Sequence, residues 1–286
     1  MALAVARPTR AVLKLTRNVG ERIGEVGTFL IFSQRVISHT FFDVILKLRY
    51  RKEVVRQISD VVVGPGALVA GSGMVFVVGA MSLATGATVG IEGFNSLRGL
   101  GAESFTGLVA SFGNTREVAP IIFGVALAAQ VGAGFTAELG AKRISDEIDA
   151  LDVMGINSLI YLVCTRLVAT MIALLPLYLI ALFASLFASK TVTTQFLGQS
   201  PGIYDHYFQL FLPPIDIAYS CVKVAFFTVL VVLIHCYYGY HASGGPAGVG
   251  TAVGKAIRMS IVTIVLVNLF LSFLFWGTTT TVSLTG

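Results

Sequence analysis

The sequence contains few charged residues. Lys, Arg, Asp and Glu make up 12% of its 286 residues, whereas soluble domains are about a quarter charged. Hydrophobic residues account for 55% of the chain, and the mean hydropathy is +0.84. Several apolar runs approach the ~20 residues that a helix needs to cross the hydrocarbon core of a bilayer. This composition excludes a soluble globular protein and predicts an all-α polytopic membrane protein.

Cysteine is also scarce. The three cysteines, Cys164, Cys221 and Cys236, lie far apart and fall within or beside apolar runs. Their spacing matches neither a disulfide framework nor a metal site, so we expect packing roles and no bound metal. No short apolar stretch with a small-residue cleavage site follows the basic N-terminus, and we therefore expect no removable signal peptide.

A phosphate-binding loop is missing as well. Residues 244–257 read "GGPAGVGTAVGKAI", but Val249 stands where the first glycine of such a loop belongs. Ala256 replaces the Ser or Thr that would hold a magnesium ion. We expect no cofactor in this chain, so any nucleotide must be bound by a partner.

Basic residues are concentrated at the N-terminus, where residues 1–56 hold eleven of the twenty Lys and Arg. Apolar residues alternate with polar ones from Ile23 to Phe41, which predicts an amphipathic helix in the membrane interface. A basic patch follows it, and it comprises Lys47, Arg49, Arg51 and Lys52. Because membrane topology explains these cations, the sequence pI of about 9.2 does not indicate nucleic acid as a partner.

Five membrane spans are predicted from the apolar runs. They cover roughly 61–85, 118–137, 159–187, 216–239 and 257–277. With the N-terminus in the cytoplasm, most Lys and Arg residues fall on the cytoplasmic side, as the positive-inside rule requires. The linkers near 138–158 and 240–256 are then cytoplasmic, those near 86–117 and 188–215 lie outside, and the C-terminus is periplasmic.

The most charged segment, residues 138–155, reads "ELGAKRISDEIDALDVMG". It has five acids and two bases, a net charge of −3, and the acids are Glu138, Asp146, Glu147, Asp149 and Asp152. Ser145 is the predicted N-cap and Gly155 the predicted stop of a short helix. We expect the apolar face of that helix to comprise Ile144, Ile148 and Leu151. One interpretation is a solvated segment resting on the membrane, but an anionic leaflet would repel it, which favours docking to a protein.

A stripe of small residues runs along the second span at intervals of four. Its members are Gly124, Ala128, Gly132, Thr136 and Gly140. Small residues let helix backbones approach closely within a membrane. The stripe predicts packing within the subunit, or alternatively a subunit interface or a wall that slides during transport.

Other polar or helix-breaking residues support weaker hypotheses. Pro65 and the surrounding glycines of "GPGALVAGSG" predict a kink or re-entrant entry to the first span, with an ordinary packed helix as the alternative. Arg166 and Lys223 lie near span ends, where we expect them to snorkel. Ser72 and His235 could form the nucleophile and base of an intramembrane hydrolase, but no third group accompanies them.

Three stretches carry a resemblance to a known family. They are "TREVAP" (115–120), the run from 128 to 169 that contains "TAELGAKRISDEIDALDVMGI", and "HCYYGYHASGGPAGVGTAVGKAI" (235–257). They resemble the MlaE/YrbE permeases, the membrane subunits of ABC-type lipid transporters that work with MCE proteins. "YLVCTR" together with "HCYYGY" is most similar to the actinobacterial Mce-associated YrbE proteins, of the B type.

The resemblance implies a fold, partners and a role for the acidic segment. The fold would be an N-terminal interfacial helix in residues 1–56, then a permease domain, 57–286, with five transmembrane helices. A coupling helix at about 138–156 would carry the five acids into a cleft of a cytoplasmic ATPase, which binds the ATP and magnesium. A second YrbE-type permease, outer MCE proteins and a lipid substrate would complete an inner-membrane complex, with import the expected direction and no catalysis by this chain.

Two departures from the family are visible. Many members carry an arginine in the stretch where this chain has Gln130 and Val131, and many carry an acid where Asn268 stands. Both departures would suit one half of a heterodimer whose other half differs. The alternative functions are a secondary lipid transporter or channel, sensitive to loss of Lys223, and the hydrolase described above.

Overall fold

The computed structural model describes residues 10–46, 50–63 and 73–277, with side chains from residue 24 onward. This part of the chain is helical and contains no strand. Its helices are α1 (Arg10–His39, continuing as a π-helical turn Thr40–Leu46), α2 (Arg51–Val62), α3 (Met74–Arg98), α4 (Glu103–Ile144), α5 (Glu147–Val153), α6 (Ile160–Phe196), α7 (Pro201–Leu210), α8 (Pro214–Tyr240) and α9 (Gly245–Trp276). The predicted all-α class is confirmed.

Six of the described helices are long and apolar enough to cross a membrane. They are Gly24–Leu46 within α1, then α3, α4, α6, α8 and α9. The chain is a multi-pass membrane protein. The last five correspond to the five predicted spans, but the predicted limits of the first two were wrong. The predicted start of the last span was wrong as well, because α9 begins at Gly245 and takes up most of the linker predicted near 240–256.

The observed limits of the first two spans differ from the predicted ones because small and polar residues lie at the contacts between helices. The segment predicted as an outer linker, 86–117, lies mainly in α3 and α4. Its glycines, serines and threonines lower the hydropathy, but Gly86 and Gly90 face the backbone of Ser185 and Ser189 on α6. A Cβ atom at Gly86 would overlap the Ser185 carbonyl. The absence of side chains lets α3 and α6 pack closely, which hydropathy alone does not reveal.

Helix α1 contacts the end of the bundle that carries α5. The Thr28 hydroxyl lies 2.8 Å from that of Tyr237 near the end of α8, and Phe32 packs edge-on against Tyr237. Beyond the other end of α1, the Tyr50 ring packs against Tyr161 at the start of α6. Thr28, in the middle of α1, and Tyr50, beyond its end, therefore contact the same end of the bundle. The interfacial placement of α1 stays a prediction.

Some predicted features lie outside the described residues. They are Lys47 and Arg49 of the basic patch, Gly64, Pro65, Gly66 and Gly71 of the predicted kink, and Ser72.

The small-residue stripe of α4 faces α8 and α9. A Cβ atom at Gly124 would meet Phe227 and Ile264, and one at Gly132 would meet the ring of His235. Gly140 lies against Val249 at the start of α9. In the monomer these contacts are all within the subunit, and they place α4 at the centre of the bundle.

Candidate functional site

The acidic segment forms a helix, a turn and a second short helix. Helix α4 continues to Ile144, and α5 begins only at Glu147. Asp146 occupies the turn with a left-handed backbone (φ 57°), a conformation that Asp tolerates because its short polar side chain can bond locally. Ser145 is therefore the C-cap of α4 and not the predicted N-cap of α5. Glu138 and Ile144 belong to α4, not to the short helix.

Helix α5 has a buried side and an acidic side. Ile148 is fully buried and Leu151 packs partly against the core, whereas Ile144 is exposed. Asp146, Glu147 and Asp149 are exposed. Two of the three predicted anchors therefore hold α5 against the bundle, while the acids face outward.

Gly155 ends α5 as predicted. Its φ is +76°, a region that glycine enters without the steric cost of a Cβ atom. The Ile156 amide donates to the Leu151 carbonyl and the Gly155 amide to the Asp152 carbonyl, both at 3.0 Å. These two bonds form a Schellman motif, which gives the short helix a defined end.

Asp152 has a different environment from the other acids of α5. Its two carboxylate oxygens accept hydrogen bonds from the Ser158 amide and hydroxyl, both at 3.0 Å. The Ser158 hydroxyl also lies 2.8 Å from that of Tyr240 at the end of α8. Asp152 thus connects α5 to α6 and α8 and is a positioning residue.

Ion pairs hold the end of α4 in place. The Glu138 carboxylate lies 2.9 Å from Lys142 and 2.6 Å from the fully buried guanidinium of Arg166 on α6. Arg143 donates to Asp149 at 2.7 Å and so bridges α4 and α5. Arg166 is paired in the interior and does not snorkel to water as predicted.

A second polar constellation lies between α4, α8 and α9, toward the opposite end of the bundle. Lys223 is fully buried, and its ammonium donates to the Arg116 carbonyl (2.6 Å) and the Ser272 hydroxyl (2.8 Å) and pairs with Glu117 (3.3 Å). The other Glu117 oxygen accepts from the Asn268 amide at 2.6 Å. Lys223 therefore does not snorkel, because its partners lie inside the bundle.

The same constellation continues to the ends of α8 and α9. Arg116 donates to the buried Asp216 carboxylate at 2.7 Å, and the Trp276 indole donates to its other oxygen at 2.9 Å. We call the set Arg116, Glu117, Asp216, Lys223, Asn268, Ser272 and Trp276 the intramembrane network. Its two acids and two bases balance, which reduces the cost of placing charges in the membrane.

Sequence reasoning missed Arg116, Asp216, Ser272 and Trp276 as members of the network. A signal was present, since Asn268, Ser272 and Trp276 recur every four residues and so share one face of α9. Pairing that face with α8 and α4 required the tertiary structure.

His235, the predicted base of a hydrolase, makes structural contacts. His235 lies 2.7 Å from the Thr136 hydroxyl and packs against Gly132 of the small-residue stripe. Within the described residues, no group of three His, Cys, Asp or Glu side chains is placed to hold a metal ion.

Comparison with known proteins identifies the family. The family model of the permease MlaE matches residues 66–274. The chain belongs to the MlaE permease family. The matched residues of this MlaE-family chain include α5 and all of the intramembrane network except Trp276, whereas α1 and α2 lie before them.

Three relatives are similar over long stretches. A probable ABC transporter permease protein of Rickettsia bellii is 27% identical over 269 residues, which cover 93% of this chain and 99% of the relative. A probable ABC transporter permease protein of Synechocystis is 32% identical over 179 residues, covering 62% and 68%. The chloroplastic protein trigalactosyldiacylglycerol 1 of Arabidopsis thaliana is 30% identical over 177 residues, covering 62% and 51%.

Proposed function

We propose that this chain is the membrane subunit of an ATP-driven lipid transporter, and that α5 binds a cytoplasmic ATPase. The observation that carries the proposal is the construction of α5. Its acids face outward, while Ile148, Asp152 and the Arg143–Asp149 pair join it to α4, α6 and α8. A helix held in this way couples a conformational change of a bound partner to the membrane spans, whereas a flexible loop would not.

The relatives support the transport class. Two carry the name ABC transporter permease, and a permease of that kind works with a separate ATPase that binds ATP and magnesium. The name of the Arabidopsis relative refers to a galactolipid, which supports a lipid as the cargo. Membership of a permease family favours a transport subunit over an intramembrane hydrolase.

The proposed assembly is the one that the MlaE resemblance implies. Two permease chains, of which this is one half of a heterodimer, pair in the inner membrane. The ATPase binds α5 in the cytoplasm, MCE proteins bind the opposite face, and the lipid moves inward. Asn268 is a neutral residue where many members of the family carry an acid, which supports unlike halves.

A secondary carrier is the alternative, and one observation favours it. Lys223 and Glu117 form a charge pair inside the membrane region, and intramembrane charges are often parts of ion pathways. A carrier would move lipid between vesicles without nucleotide, whereas the proposed transporter requires ATP hydrolysis.

Charge reversal on α5 tests the proposal. We expect Glu147→Lys with Asp149→Lys to abolish recovery of the ATPase with the tagged chain from native membranes in mild detergent. Loss of the exposed Arg143–Asp149 pair costs the fold only about 0–1 kcal/mol, so gel filtration should show an intact chain. Mass spectrometry of the co-purified proteins and lipids provides the readout.

A matched control separates docking from net charge. Glu25→Lys with Asp60→Lys makes the same change at two exposed acids that do not belong to α5, and we expect it to retain the ATPase. If the folded α5 variant retains the ATPase as well, α5 is not the docking surface. If the unaltered chain yields no ATPase even after crosslinking, the carrier is favoured instead.

A further inference from the structure

A lateral groove lies between α1, α2 and α6, outside the two sites described above. It has a volume of about 720 Å³ and is lined by residues 37–45 of α1, 51–58 of α2, 167–172 of α6 and by Val229 of α8. This volume is within the range of about 300–1,000 Å³ typical of small-ligand sites. The groove opens to the surface of the bundle between Phe41, Val55 and Ile172, all of which are exposed.

The lining is apolar apart from Thr40 and Arg51. Among the described residues that form the groove, Arg51 is the only charged one. It precedes Val54, Val55 and Ile58 by three, four and seven residues, so the cation and the apolar side chains share one face of α2. The groove therefore combines an apolar wall with a single positive charge.

Arg51 differs from Arg56 of α2 and Arg166 of α6 in the ion pairs of its side chain. Arg56 pairs with Glu53 at 2.9 Å, and Arg166 pairs with Glu138. The exposed Arg51 side chain makes no hydrogen bond or ion pair with any of the described residues. The Arg51 guanidinium is therefore available to pair with an anion from outside the chain.

The position of Arg51 favours a lipid as the source of that anion. It follows Tyr50, whose ring packs against Tyr161 at the α5 end of the bundle, and tyrosines are typical of the membrane–water interface. Phosphate headgroups lie at this depth, and the acyl chains below them would meet the apolar part of the groove. Anionic lipids are also enriched in the cytoplasmic leaflet.

We infer that the groove binds one anionic phospholipid of the surrounding bilayer, with its phosphate at Arg51 and an acyl chain between α1, α2 and α6. The bound lipid fastens α1 and α2 to the transporter core. It is a resident lipid and not the cargo, and the inference does not depend on the proposed function.

Photolabelling tests the inference directly. The full chain, purified with its associated subunits, is placed in phosphatidylcholine nanodiscs that contain a phosphatidylglycerol or phosphatidylcholine probe with a photoreactive acyl chain. We expect the phosphatidylglycerol probe to label peptides covering 37–45, 51–58 and 167–172 more strongly than the phosphatidylcholine probe. Arg51→Gln should reduce this label about fivefold, the effect of removing roughly one surface cation.

Lys52 provides the matched control. It is exposed, carries the same charge and does not line the groove, so Lys52→Gln should leave the label unchanged while Arg51→Lys retains most of it. The inference would be overturned if Arg51→Gln and Lys52→Gln lost the same amount of label, or if the two probes labelled the groove equally. Either result would show that the groove is occupied only by non-specific annular lipid.

A second variant keeps the test decisive if Arg51→Gln does not fold. Val55→Trp fills the exposed mouth of the groove without changing charge, and should lower the label of the groove peptides. Val262→Trp, at an exposed position on α9, should not. Unchanged labelling in Val55→Trp contradicts an acyl chain in the groove, and label that disappears during ATP hydrolysis would identify cargo instead.

Discussion

At the scale of single residues, buried charges determine how the spans fit together. Lys223 illustrates this, because all of its described partners lie on the neighbouring helices α4 and α9. The buried ammonium contributes to stability only while Glu117 supplies the opposite charge. Breaking one half of such a pair leaves an uncompensated charge, whereas removing both halves is far less costly.

A double-mutant cycle tests this coupling. We expect Lys223→Met to destabilise the chain by about 3 kcal/mol, and Lys223→Met with Glu117→Gln to recover much of that loss. Thermal unfolding in detergent measures each variant, and Lys190→Met, which breaks an exposed pair with Asp205, is the control with a small expected effect. Strictly additive losses for Lys223 and Glu117 would show that the two charges act independently.

At the scale of elements, close helix packing depends on particular glycines. Helices α3 and α6 run in parallel, since Gly86 faces Ser185 and Gly90 faces Ser189. The contact is between backbones, and van der Waals packing is a principal force between helices in lipid. A single methyl group at this contact must therefore separate the two helices.

The matched pair Gly86→Ala and Gly79→Ala tests this packing. Both positions are on α3, but a Cβ atom at Gly79 would meet nothing within 4 Å. We expect Gly86→Ala to lower the melting temperature clearly, and Gly79→Ala to be neutral or stabilising by up to about 1 kcal/mol from helix propensity. Equal effects of the two changes would contradict the proposed backbone contact.

At the scale of the whole molecule, the two polar sites lie at opposite ends of the bundle. Helix α5 extends from the end where α4 finishes and α6 begins, and the intramembrane network lies toward the other end. Helix α4 joins them, with its small-residue face against α8 and α9. Helix α4 thereby connects the end of the bundle that carries α5 with the network.

Labelling of introduced cysteines tests the topology. We expect Ser145→Cys, Glu25→Cys and Lys52→Cys to react with an impermeant maleimide from one side of the membrane, and Ser96→Cys and Ser200→Cys from the other. The native cysteines are first replaced by alanine. If Glu25→Cys and Lys52→Cys react from opposite sides, α1 crosses the membrane and is not interfacial.

Much of the fold was predictable because it depends on composition and local pattern. Low charge and long apolar runs predicted the all-α membrane class, since a bilayer requires backbone groups to be bonded within each span. Gly155 predicted the end of α5, because the left-handed stop of a helix is a local property of glycine. The charged motif around residues 138–155 was specific enough to indicate the MlaE family.

The limits of the first two spans and the identity of the intramembrane network were decided only by the tertiary structure. Gly86 looked like part of a linker because hydropathy does not register a backbone that is buried against another helix. Lys223 was expected to snorkel, and Asp216 and Ser272 were overlooked, because the pairs that make their burial favourable join residues about fifty to more than a hundred positions apart. By itself the sequence determined what each segment could be, whereas the packing of the helices decided which charges meet.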